Sequence, residues 1–214
     1  MNGAMSLLKT LTNNGVDVCF TNPGTSEMHM VAAIGQTGGM RSILSLFEGV
    51  CTGAADGYGR IAGKPACTLL HLGPGLSNGS ANLHNARKAN SPVINLIGDH
   101  ATYHKKYDAP LNSDVIGLAK PVSHWVRSVA DAVSLPGDAA DAVVAANVKP
   151  GQIATLIVPA DCAWDESVEP IAEREMPSAP RVNELSITKA SEMLGNGKPT
   201  VILMSNLALT EQSL

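Results

Sequence analysis

Short apolar runs alternate along the chain with longer stretches of helical periodicity. Ala4, Leu7, Leu8 and Leu11 repeat at helical spacing, and Gly15 is placed to cap that helix. Val16 to Phe20 predicts a first strand, broken by Thr21-Asn22-Pro23-Gly24, after which Thr25 or Ser26 can cap a helix running to about Ile34. Ile43 to Phe47 predicts a second strand. It leads into Glu48 and a small-residue helix to about Ala62, stopped by Gly63 and Pro65. Ala66 to Leu72 predicts a third strand, then a Gly73-Pro74-Gly75 loop and a polar helix from about Ser77 to Ala89. Val93 to Ile97 follows as a strand, then a long loop from Gly98 to about Pro121, of the length that tends to carry function. Trp125 to Val129 and Ile153 to Val158 complete the strands, with a helix opened by Pro136 between them.

This alternation predicts an α/β fold: a parallel sheet with helices on both faces, a three-layer arrangement of flavodoxin-like or Rossmann-like type. Residues 1–165 form the expected domain. Residues 166–182, with Pro170, Pro177, Pro180 and several acidic side chains, read as a linker. Residues 183–214 offer a helix over Glu184 to Leu194, a strand over Thr200 to Met204 and the beginning of another helix. One helix and one strand cannot bury a core, so this tail is expected to be the truncated start of a second domain.

Composition narrows the function classes. Aromatics are only 3% of the chain while glycine is abundant, which suits helices packed closely on a sheet. The net charge is -4 and the nearest basic cluster is the Lys105-Lys106 pair, read as a solvated loop, so no nucleic-acid partner is expected. No apolar stretch approaches the roughly 18 residues of a membrane span. No signal peptide is evident. Cys19, Cys51, Cys67 and Cys162 are scattered without metal-ligand spacing; three of them sit in apolar or small-residue runs as small hydrophobes, and a reducing, cytoplasmic setting is expected.

In open parallel sheets, ligands bind beyond the carboxyl ends of the strands. Three distinctive segments fall at such ends: Asn22-Pro23-Gly24-Thr25, Glu48, and His71-Leu72-Gly73-Pro74-Gly75. Glu48 has two readings. An acid in a first helical turn interacts favourably with the helix dipole; a carboxyl at an apolar strand end is also placed for desolvation and proton exchange with a ligand nitrogen. His71 is either a satisfied structural histidine or a proton carrier. Gly73-Pro74-Gly75 is an ordinary turn or an approach of backbone amides to an anion; it matches neither a phosphate loop nor a dinucleotide fingerprint. Asp99, His100 and His104 share the long loop, but their spacing fits no zinc motif and no metal site is expected there.

Taken together, these segments resemble the pyrimidine-binding domain of thiamine diphosphate-dependent enzymes, in particular acetolactate synthase large subunits and benzoylformate decarboxylase. Asn22-Pro23-Gly24-Thr25 resembles the family's first loop. Phe47-Glu48-Gly49 through Ala55-Asp56-Gly57-Tyr58-Gly59-Arg60 and Gly63-Lys64-Pro65 resembles its glutamate-bearing helix. Leu70 to Gly75 and on to Asn78, and Ser91-Pro92-Val93 through Ile97-Gly98, resemble the next two strands and their ends. The match covers about the first 160 residues in order.

The resemblance implies a mechanism. The family's glutamate, here Glu48, bonds a ring nitrogen of the aminopyrimidine and favours the imino tautomer that deprotonates the thiazolium. The carbanion attacks a 2-oxo acid and carbon dioxide leaves. Pro23, Gly24, Gly73 and Asn78 would contact cofactor with Glu48, while Thr25, His71 and His104 would face substrate. His71 is a benzoylformate decarboxylase feature, whereas Gly73-Pro74-Gly75 is more like acetolactate synthase, so decarboxylation and carboligation both stay open. Diphosphate and Mg2+ would be held in a later domain, and FAD, which some acetolactate synthase relatives carry in a middle domain, stays open. The resemblance implies a homodimer or homotetramer with active sites shared between subunits, and a chain inactive alone. A non-catalytic subunit and an unrelated flavodoxin-like binding module are the alternatives.

Overall fold

The computed structural model describes residues 1–209. Six strands, β1 (Val18–Asn22), β2 (Arg41–Leu44), β3 (Ala66–Leu70), β4 (Val93–Asp99), β5 (Trp125–Ser128) and β6 (Ile153–Pro159), form one parallel sheet in the order β2-β1-β3-β4-β6-β5. Every residue of β3, β4 and β6 is buried. That explains their unbroken apolar character, because a parallel sheet is covered on both faces.

Alternate residues of each strand serve opposite layers. Cys19, Leu69, Leu96 and Leu156 pack under α1 (Gly3–Asn13), α2 (Met28–Thr37) and α6 (Leu135–Ala146), against Leu7, Leu8, Leu11, Met30 and Val143. Phe20, Leu70, Ile97 and Ile157 pack on the other face, under α3 (Glu48–Ala62), α4 (Leu72–Lys88) and α5 (Val115–Ala119), against Cys51, Ala55, Leu76 and Leu83. The expected three-layer α/β architecture is therefore what the chain adopts.

Several boundaries differ from the sequence reading, and each has a local cause. The third strand stops at Leu70, and α4 begins at Leu72 instead of Ser77, so Gly73-Pro74-Gly75 is the first helical turn. Proline tolerates a first turn because its missing N–H would have no intrahelical partner there. Leu72 takes φ 51, the sharp corner that lets helix follow strand directly. The helix after β1 starts with a 3-10 turn, Thr25–Glu27, before α2. Neither Thr25 nor Ser26 caps it; the Glu27 carboxylate reaches back to the Gly24 N–H. The segment read as one long loop holds a 3-10 turn, Lys105–Tyr107, and α5, capped by the Asp114 side chain accepting from Gly117 N. A short α7 (Ala160–Trp164) follows β6 directly.

The expected linker divides in two. The compact unit runs to Pro177, and a second unit begins at Ser178. Residues 166–177 are laid along α1. Ser6 Oγ donates to Val168 O at 2.8 Å, Asn13 Nδ2 to Ile171 O at 3.1 Å, and Ile171 N donates to Thr10 Oγ1 at 3.0 Å. Arg174 N adds a bond to Asn14 Oδ1 at 2.9 Å, and Met176 packs on the core. Proline and acidic content signalled irregular backbone there, but not that α1 would satisfy it.

The second unit contains α8 (Glu184–Leu194), whose N-cap Asn183 accepts from Leu185 N and Ser186 N. Thr200 to Met204 forms no strand, because it has no ladder partner among the described residues and a strand needs one. The helix anticipated after Met204 begins as a 3-10 turn, Asn206–Leu209; its remainder lies outside the described residues.

Candidate functional site

All six strands run in one direction, so every segment that leaves a carboxyl end reaches the same rim. The chain leaves β1 in one direction, to β2, and leaves β3 in the other, to β4. The crevice between β1 and β3 is thus a topological switch point, where open α/β sheets take their ligands. A second reversal lies between β4 and β6, because the chain travels from β4 to the edge strand β5 and then returns.

Glu48 opens α3 at the end of the β2 segment. Phe47 before it is extended (φ -158°, ψ 140°) and supplies no side-chain cap, so the acid occupies the first turn, where the helix dipole favours it. The residue is half-buried with its carboxylate at the exposed end, where Oε2 accepts from Asn78 Nδ2 of α4 at 3.1 Å. Small residues let these helices approach. A Cβ on Gly79 would stand 2.8 Å from Thr52 Cγ2, and Thr52 Oγ1 donates to Gly79 O at 3.0 Å. Asn82 Nδ2 ties the same interface by donating to Gly49 O at 2.7 Å. Around Glu48 the surface is apolar and open: Leu44, Leu46, Phe47 and Val50 are all exposed, Leu46 to 95%.

His71 ends the β3 segment and lies in the β1/β3 crevice. Its Nδ1 is 2.8 Å from Glu27 Oε2, and the same oxygen accepts from Gly24 N at 2.7 Å. Glu27 is wholly buried. Burial pushes its carboxyl above the ordinary range, while the Gly24 amide and His71 pull it back. Two glycines make the space. A Cβ on Gly24 would come within 2.3 Å of His71 Nδ1, and one on Gly98 within 1.6 Å of Glu27 Oε1. Glu27 escapes a reading of the sequence because it looks like one more polar residue in a capping stretch. A buried acid is visible only once β4 is set beside the β1 loop.

Thr25 and His104 meet in a separate cleft of about 230 Å³ at the β4/β6 reversal, lined also by Ser26, His100, Tyr103 and Trp164. The His100 and His104 rings are 5.4 Å apart, and His100 Nε2 is buried without a hydrogen-bond partner among the described residues. His71 does not line this cleft. Pro23 continues the β1 loop beside Gly24. Gly73 is buried with its Cα against Ser113, where a Cβ would fall 2.4 Å from Oγ. The Gly75 amide is already bonded to His71 O at 2.7 Å. Among the described residues, no three His, Cys, Asp or Glu side chains gather to hold a metal ion, and no helix is long and apolar enough to cross a membrane.

Residues 1–134 match the family model for the thiamine pyrophosphate enzyme N-terminal TPP binding domain. The chain belongs to that family. It is 53% identical over 204 residues to a Mycobacterium tuberculosis protein named "Putative acetolactate synthase large subunit IlvX", covering 95% of this chain and 39% of the relative. It is 29% identical over 199 residues to benzoylformate decarboxylase of Pseudomonas aeruginosa, covering 91% of this chain and 37% of that protein. The same fold occurs in the thiamine diphosphate-dependent 4-hydroxybenzoylformate decarboxylase of Rhodococcus jostii RHA1, with a TM-score of 0.82 and 24% identity over 91% of this chain and 37% of that one. This thiamine pyrophosphate-binding N-terminal domain thus spans under two-fifths of the length of these relatives.

Proposed function

We propose that this domain activates thiamine diphosphate in an enzyme acting on 2-oxo acids, with Glu48 as the residue that engages the aminopyrimidine. The supporting observation is the state of the Glu48 carboxylate. One oxygen is held by Asn78 and the other is not bonded by any of the described residues. It stands at the ligand-binding rim beside exposed Phe47 and Val50, which suit a flat heteroaromatic ring. The residues present therefore fit the cofactor's pyrimidine half. When bound, the cofactor supplies the carbanion and holds the electrons released on decarboxylation.

The chain's own part is binding, orientation and proton traffic. Glu48 holds or gives a proton at its free oxygen, Asn78 fixes that oxygen's direction, and Pro23 and Gly24 bound the pyrimidine from the β1 loop. Gly73 acts through the tight corner it permits at the start of α4. His71 exchanges a proton with substrate at Nε2. Thr25 and His104 receive the rest of the substrate in the β4/β6 cleft. Diphosphate and Mg2+ fall to another domain of the enzyme.

A second copy of the chain is the proposed cover for the apolar surface of Leu44, Leu46, Phe47 and Val50. Removing apolar side chains from water at about 25 cal/mol per Å² drives association, and a ring seated on Glu48 would be enclosed by it. This gives a homodimer or a homotetramer.

The test is carbon dioxide release from a panel of 2-oxo acids by the full-length protein, with thiamine diphosphate and Mg2+. Glu48→Gln keeps the size of the side chain and removes the exchanging proton. A loss of roughly 100-fold or more, the scale of acid–base groups, supports the role, and the product separates aldehyde formation from carboligation. Equal activity in wild type and variant reduces Glu48 to a helix-start acid and favours a non-catalytic subunit.

A further inference from the structure

We infer that Glu27 is a positioning residue, whose buried carboxylate holds the His71 ring by Nδ1 and so leaves Nε2 as the atom presented to the substrate. The inference rests on the proposed role of His71 and adds a residue to it.

Four observations carry it. First, the Glu27 side chain is 0% exposed, and a carboxylate is taken out of water at a cost of several kcal/mol unless it is paired. Second, Oε2 receives two partners at once, the Gly24 amide at 2.7 Å and His71 Nδ1 at 2.8 Å. The amide can only donate, and with Glu27 ionised the carboxylate oxygen accepts from both partners, which puts the hydrogen on Nδ1. The remaining lone pair of the neutral ring then sits on Nε2. Third, the pair is clamped from both sides. The ring lies on Gly24, Oε1 lies on Gly98, and neither position has room for a Cβ. Fourth, Oε1 is buried with no hydrogen-bond partner among the described residues, an exception to the general pairing of buried polar atoms that calls for a role beyond stability. Among the described residues no protein group bonds Nε2, and His71 is partly open at the rim.

The proton balance is simple. When Nε2 takes a proton from the substrate, Nδ1 keeps its own, the ring becomes an imidazolium, and the Glu27 carboxylate offsets its charge at 2.8 Å. Returning the proton restores the neutral ring. No bond to Glu27 forms or breaks, and no electrons move.

The test labels the six histidines of the chain with 15N and reads tautomers from long-range proton–nitrogen correlations; His71→Asn identifies the His71 signals. The expected wild-type result is a single neutral tautomer with the hydrogen on Nδ1, as a far-downfield, slowly exchanging proton. In Glu27→Gln, with the rest of the spectrum unchanged, that proton should move upfield or vanish. A wild-type His71 with its hydrogen on Nε2, or the same Nδ1 signal in both proteins, overturns the inference. The wild-type spectrum decides even if the variant fails to fold.

Kinetics of the full-length enzyme give a second readout. Glu27→Gln should lower kcat about 10-fold or more with little change in KM, and add little to the loss in His71→Ala. Additive losses overturn a role through His71. Full activity of His71→Ala overturns the proton-exchange role itself, and is told apart from a failed Glu27 bond because the spectrum is read without turnover.

Discussion

Asn78 Nδ2 donates to Glu48 Oε2 across 3.1 Å, so the first turn of α3 and the second turn of α4 meet at one carboxylate. The bond joins residues 30 positions apart and leaves the second oxygen unengaged by the described residues. Asn78→Ala should cost about 1 kcal/mol of orientation, roughly fivefold in apparent cofactor affinity, and much less in kcat than Glu48→Gln. Titrating thiamine diphosphate against carbon dioxide release checks this; an unchanged titration makes Asn78 a bystander.

Two glycine substitutions should have opposite signs. At Gly24, a Cβ would stand 2.3 Å from the His71 ring, which is pinned by Glu27 and cannot swing aside cheaply. Gly24→Ala should lose about 1–3 kcal/mol in urea unfolding. Gly35 lies within α2 with nothing near its Cα. Gly35→Ala should gain about 0.5–1 kcal/mol from helix propensity.

Burial raises the Glu27 carboxyl, which sets the sign of a pH effect. The folded chain holds a proton on Glu27 at pH values where the unfolded chain has lost it. The contribution is therefore most favourable below the unfolded value of about 4.3 and is lost as pH rises through the folded value. The stability of wild type relative to Glu27→Gln should fall as pH rises above the unfolded carboxyl value of about 4.3. A pH-independent difference in urea midpoints would show that burial does not hold the proton.

Residues 166–177 belong to the first unit through their bonds to Ser6, Thr10, Asn13 and Asn14. A chain ending at Pro177 should unfold at nearly the denaturant concentration of the 214-residue chain, whereas one ending at Asp165 should unfold earlier. Equal midpoints for the two truncations would refute the strap's contribution.

All four cysteines are free and buried, and burial pushes the Cys162 thiol up to about 12. A thiolate-selective reagent should react slowly with the native chain near pH 8 and with four thiols once it is unfolded. A fast-reacting native thiol would place one of them at the surface.

The layers were legible because one strand carries two apolar faces: Cys19 beside Phe20, Leu69 beside Leu70, Leu96 beside Ile97. The start of α3 was legible too, since the helix opens at Glu48, where an acid precedes a run of small residues. Thr200 to Met204 shows the reverse case, where a strand-like composition yields no strand without a partner. The start of α4 was misread because Gly-Pro-Gly signals a turn, and only the φ 51 corner at Leu72 shows that the turn is helical.

By itself the sequence determined the α/β class and the chemistry available at the strand ends, because these follow from period, propensity and residue type over short windows. Only the tertiary structure decided which of those residues act together. Strand order sets β1 beside β3 and so brings Glu27 to His71 across 44 positions, and it brings Thr25 to His104 at the β4/β6 reversal. Strand order is a long-range choice made by burial of whole faces, and no local pattern encodes it.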